Sequence, residues 1–429
     1  MTVSRTLASV VRPLNPPRRL LMGSGPSNPE PRVLQALAEP PPQPGSPAFD
    51  DLLEAIAELG RRLFRTNNAA TFAVPGASRA GIEAALASLI EPGDRVLVGV
   101  YGHFGELLCT LAARHGASVA RVDADWGSAV DPTAMVAAIS QQRPKLVAIV
   151  HADTSTGAVQ PLDEIGAACR EVGALFLVDG VLSLGGCEVD VDHWCIDAAI
   201  GGLQKCLGGP PGMALVTLSA AACSARARRR APSPPSFLDI AVHQAAWVEH
   251  ADLEAYETSG SMLLAMREAL ELIHIDGLDA RWRRHERASR ALRAGLCAMG
   301  LRLFADPARR VPMITLVAVP DGIAEQAVRE QLLADHAVEI MAAFGPLRGR
   351  VWRIGTMGTN ACLPSVLALL AALESVLAAR GFSLPQPRAP GGAVAAALAE
   401  DHAPISRGEE HEHAVGGESE SDDAQQPRS

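Results

Sequence analysis

Gly201-Gly-Leu-Gln-Lys205-Cys-Leu-Gly-Gly-Pro-Pro-Gly212, downstream of the apolar run Phe176-Leu-Val-Asp179-Gly-Val181, decides how this chain reads. Lys205 is one of only two lysines, the other being Lys145, among 429 residues whose remaining positive charge is arginine. A lysine can lose its proton near neutrality and attack a carbonyl to form a Schiff base, which arginine cannot do. The run at 176–179 reads as an apolar strand ending in an acid. An acid at a strand end and a lysine in a later loop are the pair a pyridoxal phosphate enzyme needs. The lysine holds the aldehyde carbon, and the carboxylate keeps the pyridine nitrogen protonated. Alone, Lys205 reads equally well as a surface lysine in a tight turn, so the rest of the chain has to decide.

Working outward, short strands at Arg95–Val100, Ser118–Val122, Leu146–His151, Leu175–Asp179 and Ala214–Leu218 alternate with helical stretches at 79–90, 104–115 and 161–172. That alternation predicts βαβ units and a mostly parallel sheet covered on both faces. Ligands of such sheets bind beyond the carboxyl ends of the strands. His151-Ala-Asp-Thr-Ser-Thr-Gly157, Asp179-Gly180 and the Lys205 loop all fall there. A long helix over 261–299 bridges to strands at Val311–Val319, Glu339–Met341 and Val351–Ile354 and helices at 324–335 and 364–379. The organisation expected is an arm over 1–20, a large cofactor-binding domain over 21–277, a smaller α+β domain over 278–384 and a disordered acidic tail over 385–429. The basic, proline-broken stretch at 222–236 reads as a solvated loop. His411 and His413 in the tail are too weak a signal for a metal site, and no metal is expected.

The bulk composition excludes several classes. Apolar residues make up 48% and charged residues 20%, an ordinary globular balance. A formal net charge of -10 argues against a nucleic-acid binder. The eight cysteines, at 109, 169, 187, 195, 206, 223, 297 and 362, include no C-x-x-C pair, so neither a zinc cage nor a disulfide framework is signalled. Reduced thiols, no recognisable signal peptide and no membrane span lead to an expected cytoplasmic location.

Three further segments carry chemistry. Gly76-Ala-Ser-Arg-Ala-Gly81 opens a helix, and a glycine-rich turn there presents free amides and the positive dipole end to a phosphate. Ser78 adds a hydroxyl and Arg79 a charge. Tyr101-Gly-His-Phe104-Gly places aromatics after a strand end, where a flat cofactor ring wants a face to lie on. Arg353, among apolar residues on a strand in Val351-Trp-Arg-Ile-Gly-Thr-Met-Gly358, is costly unless paired, and its fork suits a substrate carboxylate. Gly23-Ser-Gly25-Pro-Ser-Asn28 lacks the third glycine and the strand–helix context of a nicotinamide fingerprint.

Taken in order, Gly25-Pro-Ser-Asn28, the glycine-rich turn leading to Glu83, Asp153-Thr-Ser-Thr-Gly157, Val178-Asp179, Gln204-Lys205 and Arg353-Ile-Gly355 resemble the class V aminotransferases of fold type I. Within them the chain is similar to the alanine/serine–glyoxylate aminotransferases. Ser78-Arg-Ala-Gly-Ile-Glu83, Gln204-Lys-Cys-Leu-Gly-Gly-Pro210 and Phe344-Gly-Pro-Leu…Trp352-Arg-Ile-Gly-Thr-Met-Gly358 are most similar to the (S)-ureidoglycine–glyoxylate aminotransferases of purine catabolism. The resemblance covers about 21–383.

The resemblance implies that Lys205 binds the cofactor aldehyde and shuttles the substrate proton, while Asp179 holds the pyridinium. It implies that Phe104 stacks on the ring, that Ala77, Ser78, Arg79 and Gln204 surround the phosphate, and that Ser155 faces the ring's oxygen side or the substrate. Arg353 would bind the α-carboxylate, with the Gly23 loop closing over the substrate. A homodimer is implied too, with Tyr256 and Thr258 reaching across to the partner's phosphate. The activity implied is transfer of an amino group (type EC 2.6.1) to glyoxylate, giving glycine. The donor would be (S)-ureidoglycine, with alanine or serine as the alternative.

Two segments depart from the family pattern. Pro42-Gln-Pro-Gly-Ser-Pro47-Ala-Phe49 replaces a Gly-His/Gln-x-Asp-Pro-x-Phe segment and leaves open whether Gln43 or Ser46 meets substrate. Ala255-Tyr-Glu-Thr-Ser-Gly-Ser261 is altered in length. Two other readings follow from the residues. One is a lyase of the same fold using Cys206 as a nucleophile, and the other a scaffold that kept the fold and works through its acidic tail.

Overall fold

The computed structural model describes residues 17–251, 256, 258–385 and 389–399. The tail histidines His411 and His413 therefore lie outside the described residues. Seven strands form the main sheet: β1 (Ala70–Pro75), β2 (Arg95–Val100), β3 (Ser118–Asp123), β4 (Leu146–Val150), β5 (Leu175–Asp179), β6 (Ala198–Gly202) and β7 (Met213–Leu218). Their spatial order is β1-β7-β6-β5-β4-β2-β3. All pairings are parallel except those of β7, which runs antiparallel to β1 and β6. Leu146-Val-Ala-Ile-Val150 is buried along its whole length, as expected of a strand covered on both faces.

Helices α1 (Ser78–Leu89) and α2 (His103–Arg114) follow β1 and β2. Gly81 lets α1 lie close on the sheet: a β-carbon there would stand 2.7 Å from that of Ala214 and 3.2 Å from Ile200 and Val216. This close packing aims the first turn of α1 at the space beyond the carboxyl ends of β5 and β6.

The long helix expected over 261–299 is two helices, α3 (Gly260–Asp276) and α4 (Leu278–Ala298). The break falls at Gly277, whose φ of +76° leaves the helical region. Strands β8 (Ile314–Ala318), β9 (Met341–Ala342) and β10 (Val351–Gly355) form a second, antiparallel sheet in the order β8-β10-β9.

A second apolar core joins α4 to this sheet and includes Leu292, Trp352, Leu369 and Leu373. It also takes in Met22, and Leu20–Leu21 pairs in parallel with Val338–Glu339. The first described residues thus pack on the smaller body, a partner that local sequence does not reveal. The expectation of a disordered stretch from 385 is corrected for α5 (Ala389–Ala399), which buries Val394 in the same core.

The basic stretch at 222–236 is also corrected. It begins in a helix, Ala220–Ala227, and although many of its residues are exposed it is pinned at several points. Arg226 pairs with Asp239, Arg229 donates to the carbonyl of Ile90, and Glu91 accepts the backbone N–H groups of Arg230 and Ala231 at 2.7 Å each. No helix among the described residues is long and apolar enough to cross a membrane.

Candidate active site

Lys205 leaves the carboxyl end of β6 in a tight turn closed by Gly208 N–H to Lys205 O at 3.1 Å. Its Nζ donates to the carbonyl of Ser24 and makes no ion pair among the described residues. Gly25, at φ +107°, lies so close to the lysine that a β-carbon would overlap Nζ. Protein surrounds the amine, and this burial, with the Arg353 charge second, pushes its pKa from the usual 10.5 down to about 8.

Asp179 ends β5, buried, with Oδ1 accepting the Val181 N–H at 3.0 Å. Burial is the main force pushing this acid up, to about 6; the Val181 N–H opposes it and the charge of Asp153 adds to it. A cation held against the carboxylate would restore its ionised form.

Both groups line a cavity of about 370 Å³, large enough for a small cofactor. At one end stands the N-terminus of α1. Its N-cap, Ala77, offers no side-chain cap, so first-turn amides remain for an anion. Ala77, Ser78, Arg79 and Gln204 line this end, and Ser78 Oγ donates to Gln204 Oε1 at 2.9 Å. Phe104 lines the cavity from α2. The donor set therefore fits a phosphate-bearing pyridine aldehyde: amides and Arg79 for the phosphate, an aromatic face, an acid for the ring nitrogen and a primary amine for the aldehyde.

The N-terminal loop closes the site. Gly23 is buried, and the Gly355 N–H donates to Met22 O at 2.8 Å. A β-carbon on Gly355 would overlap the Gly23 carbonyl oxygen. Ser27 Oγ donates to Lys205 O at 3.0 Å. Arg353 is buried on β10 beside Thr154, one of the cavity-lining residues.

One expected site residue is placed differently. Ser155 is fully buried, and its hydroxyl donates to Asp153 Oδ1 (2.6 Å) and accepts the His103 N–H (2.8 Å). Both of its roles are spent inside the protein, and Thr154 lines the cavity instead. Tyr256 is buried in its own chain, its hydroxyl accepting Trp247 Nε1–H at 3.1 Å and bonded to His243 Nδ1 at 2.9 Å. Thr258 Oγ1 is buried with no hydrogen-bond partner among the described residues; both residues are expected at a partner's phosphate, and neither lines this chain's own cavity. Ser46 caps the helix Pro47–Phe64 by accepting the Phe49 N–H at 3.3 Å; neither it nor Gln43 lines the cavity.

Other residues at the site escaped the sequence reading. Asp153 accepts the Ser155 N–H at 2.7 Å, and its buried Oδ2 has no hydrogen-bond partner among the described residues. A β-carbon on Gly102 would overlap this carboxylate, which explains the glycine before His103. The signal was Asp153-Thr-Ser-Thr-Gly157 itself, where the hydroxyl was singled out and the acid passed over. Arg281 and His285, one turn apart on α4, brace the site from behind. Arg281 donates to Cys206 O at 2.8 Å, and His285 Nε2 accepts the Gly358 N–H at 3.1 Å. Cys206 is buried, and burial pushes its thiol up to about 12. A nucleophilic cysteine must be exposed and readily ionised, so Cys206 does not support a lyase.

Comparison with known proteins agrees with this geometry. The family described as aminotransferase class-V matches residues 47–346. The (S)-ureidoglycine–glyoxylate transaminase of Bacillus subtilis is 43% identical over 384 residues, which is 85% of this chain and 92% of that protein. The alanine–glyoxylate aminotransferase of Drosophila melanogaster is 35% identical over 370 residues, 85% of this chain and 94% of that protein. The crystal structure of ureidoglycine–glyoxylate aminotransferase from Bacillus subtilis superimposes with a TM-score of 0.88 at 42% identity, covering 90% of this chain and all of that one.

Proposed function

This chain belongs to the class-V aminotransferases and is a transaminase, and from that premise we propose that it uses pyridoxal phosphate to move an amino group from (S)-ureidoglycine to glyoxylate, giving glycine. The observation that carries the reading is one cavity holding an uncapped helix N-terminus, an acid at a strand end and an amine whose pKa is pulled toward neutrality. The choice of donor is supported by 43% identity to a ureidoglycine enzyme against 35% to an alanine enzyme, and among solved structures by a TM-score of 0.88 at 42% identity against 0.82 at 40% for an alanine–glyoxylate aminotransferase from Nostoc sp..

Each residue has a role set by its surroundings. The α1 amides with Ser78, Arg79 and Gln204 anchor the phosphate. Phe104 presents a ring face, and Asp179 keeps a proton on the ring nitrogen. Once bound, the cofactor supplies an electron sink that acidifies the substrate Cα–H. Lys205 would hold the cofactor's aldehyde carbon, and its Nζ would take up and return the substrate Cα proton; an amine with a pKa near 8 suits both at neutral pH. Arg353 binds the α-carboxylate of either substrate with its fork. The Gly23–Ser27 segment packs over Lys205 and keeps bulk water from the amine. We take the enzyme to be cytoplasmic and homodimeric, with the described subunit holding one cofactor site.

The test is a half-reaction. The cofactor-loaded enzyme, mixed separately with freshly generated (S)-ureidoglycine, alanine and serine, should lose its yellow absorbance fastest with ureidoglycine. Faster bleaching by alanine or serine would reassign the donor. An enzyme that stays colourless after pyridoxal phosphate is added would remove the cofactor from the account. Deleting the acidic tail should leave turnover intact, against the scaffold reading.

A further inference from the structure

Arg353 is buried, yet no carboxylate among the described residues forms an ion pair with it; Asp153 acts on it only through its charge, without direct contact. Its Nε donates to Ala342 O at 2.7 Å and Nη1 reaches Thr154 O at 3.4 Å. Its guanidinium carbon lies 4.2 Å from the centre of the Phe344 ring. Phe344 is itself stacked on the His103 imidazole, with centroids 4.4 Å apart and planes 25° from parallel. Phe104 meets both edge-on, 5.3 Å from His103 and 6.0 Å from Phe344.

A buried arginine ordinarily takes an acid. Here an acid would occupy the very N–H donors that an incoming carboxylate needs. An aromatic face attracts the cation through its quadrupole and leaves the in-plane donors untouched. We propose that Phe344, backed by His103, is a positioning residue that supports the Arg353 charge from its flat side and so keeps the guanidinium fork open for the carboxylate of both substrates. This rests on the reading of Arg353 as the carboxylate anchor. Because Phe104 belongs to the same ring cluster, the anchor and the face offered to the cofactor ring are held in one aromatic unit. Phe344 is thus assigned to substrate affinity and not to proton transfer.

The experiment compares Phe344→Leu, which keeps apolar volume and loses the π face, with Phe344→Tyr, which keeps the face. Two quantities are read: steady-state constants for glyoxylate, and the dissociation constant of glycolate, an unreactive two-carbon carboxylate, by ligand-observed NMR. Phe344→Leu should raise both KM for glyoxylate and Kd for glycolate about tenfold while kcat stays within about threefold. Phe344→Tyr should restore both to near wild type. Unchanged glycolate binding in Phe344→Leu would overturn the proposal, as would equal losses in Leu and Tyr, or a loss confined to kcat. If Phe344→Leu melts early, Phe344→Met carries the same expectation. Glycolate binding needs no turnover, so a wrong amino donor or acceptor would show in the kinetics alone and leave this result standing.

Discussion

The chain's two lysines sit on opposite edges of one sheet and do opposite things. Lys145 precedes β4 at the amino edge, where its Nζ contacts Asp94 Oδ2 at 2.6 Å and Glu91 Oε2 at 3.5 Å. Lys205 follows β6 at the carboxyl edge with a backbone carbonyl as its hydrogen-bond acceptor and no acid paired to it among the described residues. The first is a satisfied, partly exposed cation. The second is enclosed and destabilised as a cation, hence chemically available. Glu91 sharpens the contrast. It is held down, to about 2, chiefly by the backbone N–H groups of Ala231 and Arg230, with Lys145 a lesser cause. Even the acid beside Lys145 depends more on backbone N–H groups than on that lysine. In a parallel sheet the carboxyl edge is where loops splay and ligands bind, and this chain keeps its one unpaired lysine there.

The largest expected break in that comparison is Lys205→Ala. It should lower single-turnover transamination by about 10³-fold or more while leaving the fold intact; circular dichroism and stopped-flow absorbance would check the two halves. Asp179→Asn comes next. Without the carboxylate the ring nitrogen loses its partner, and kcat should fall about 10²-fold, with weaker cofactor retention on dialysis.

Third is a stability effect with a definite sign. The folded pKa of Lys205, about 8, lies below the usual 10.5, so between those values the unfolded chain binds more protons and stability rises with pH. Below about 8 the half-buried lysine is a full liability. Cofactor-free Lys205→Met should therefore melt roughly 2–4 °C above cofactor-free wild type at pH 7. The gap should close as pH climbs from 8 toward 10.5, and a constant gap would mean that packing and not charge sets it. The smallest effect is Lys145→Ala, which should leave turnover unchanged and cost about 1 kcal/mol or less in a denaturant titration.

Much of this is legible in the sequence alone. Strand periodicity located five of the seven main strands, and the lysine, the acid and the glycine-rich turn share one cavity as expected. The strands that escaped, Ala70–Pro75 and Ala198–Gly202, show why. Ala198-Ala-Ile-Gly-Gly202 has a single β-branched residue, and its identity as a strand comes from two neighbours pairing with it. Ser155 was misplaced for a related reason. A hydroxyl at a strand end can face ligand or protein, and only the nearby Asp153 and His103 N–H turn it inward. The same limit applies to α5: alanine-rich sequence is ambiguous until it finds a core to cover.

By itself, then, the sequence determined the layer architecture, because the strand and helix periods are local properties. It also determined the chemical inventory, because a lysine, an acid and a helix-opening glycine turn keep their intrinsic chemistry wherever they stand. Tertiary structure alone decided which cation is free. Lys145 meets two acids across 51 and 54 residues of chain, while Lys205 meets a carbonyl 181 residues away. Likewise Arg353 finds an aromatic face in place of a carboxylate. Burial and partner identity set the energy of a charge, and both come from contacts between residues far apart in the chain.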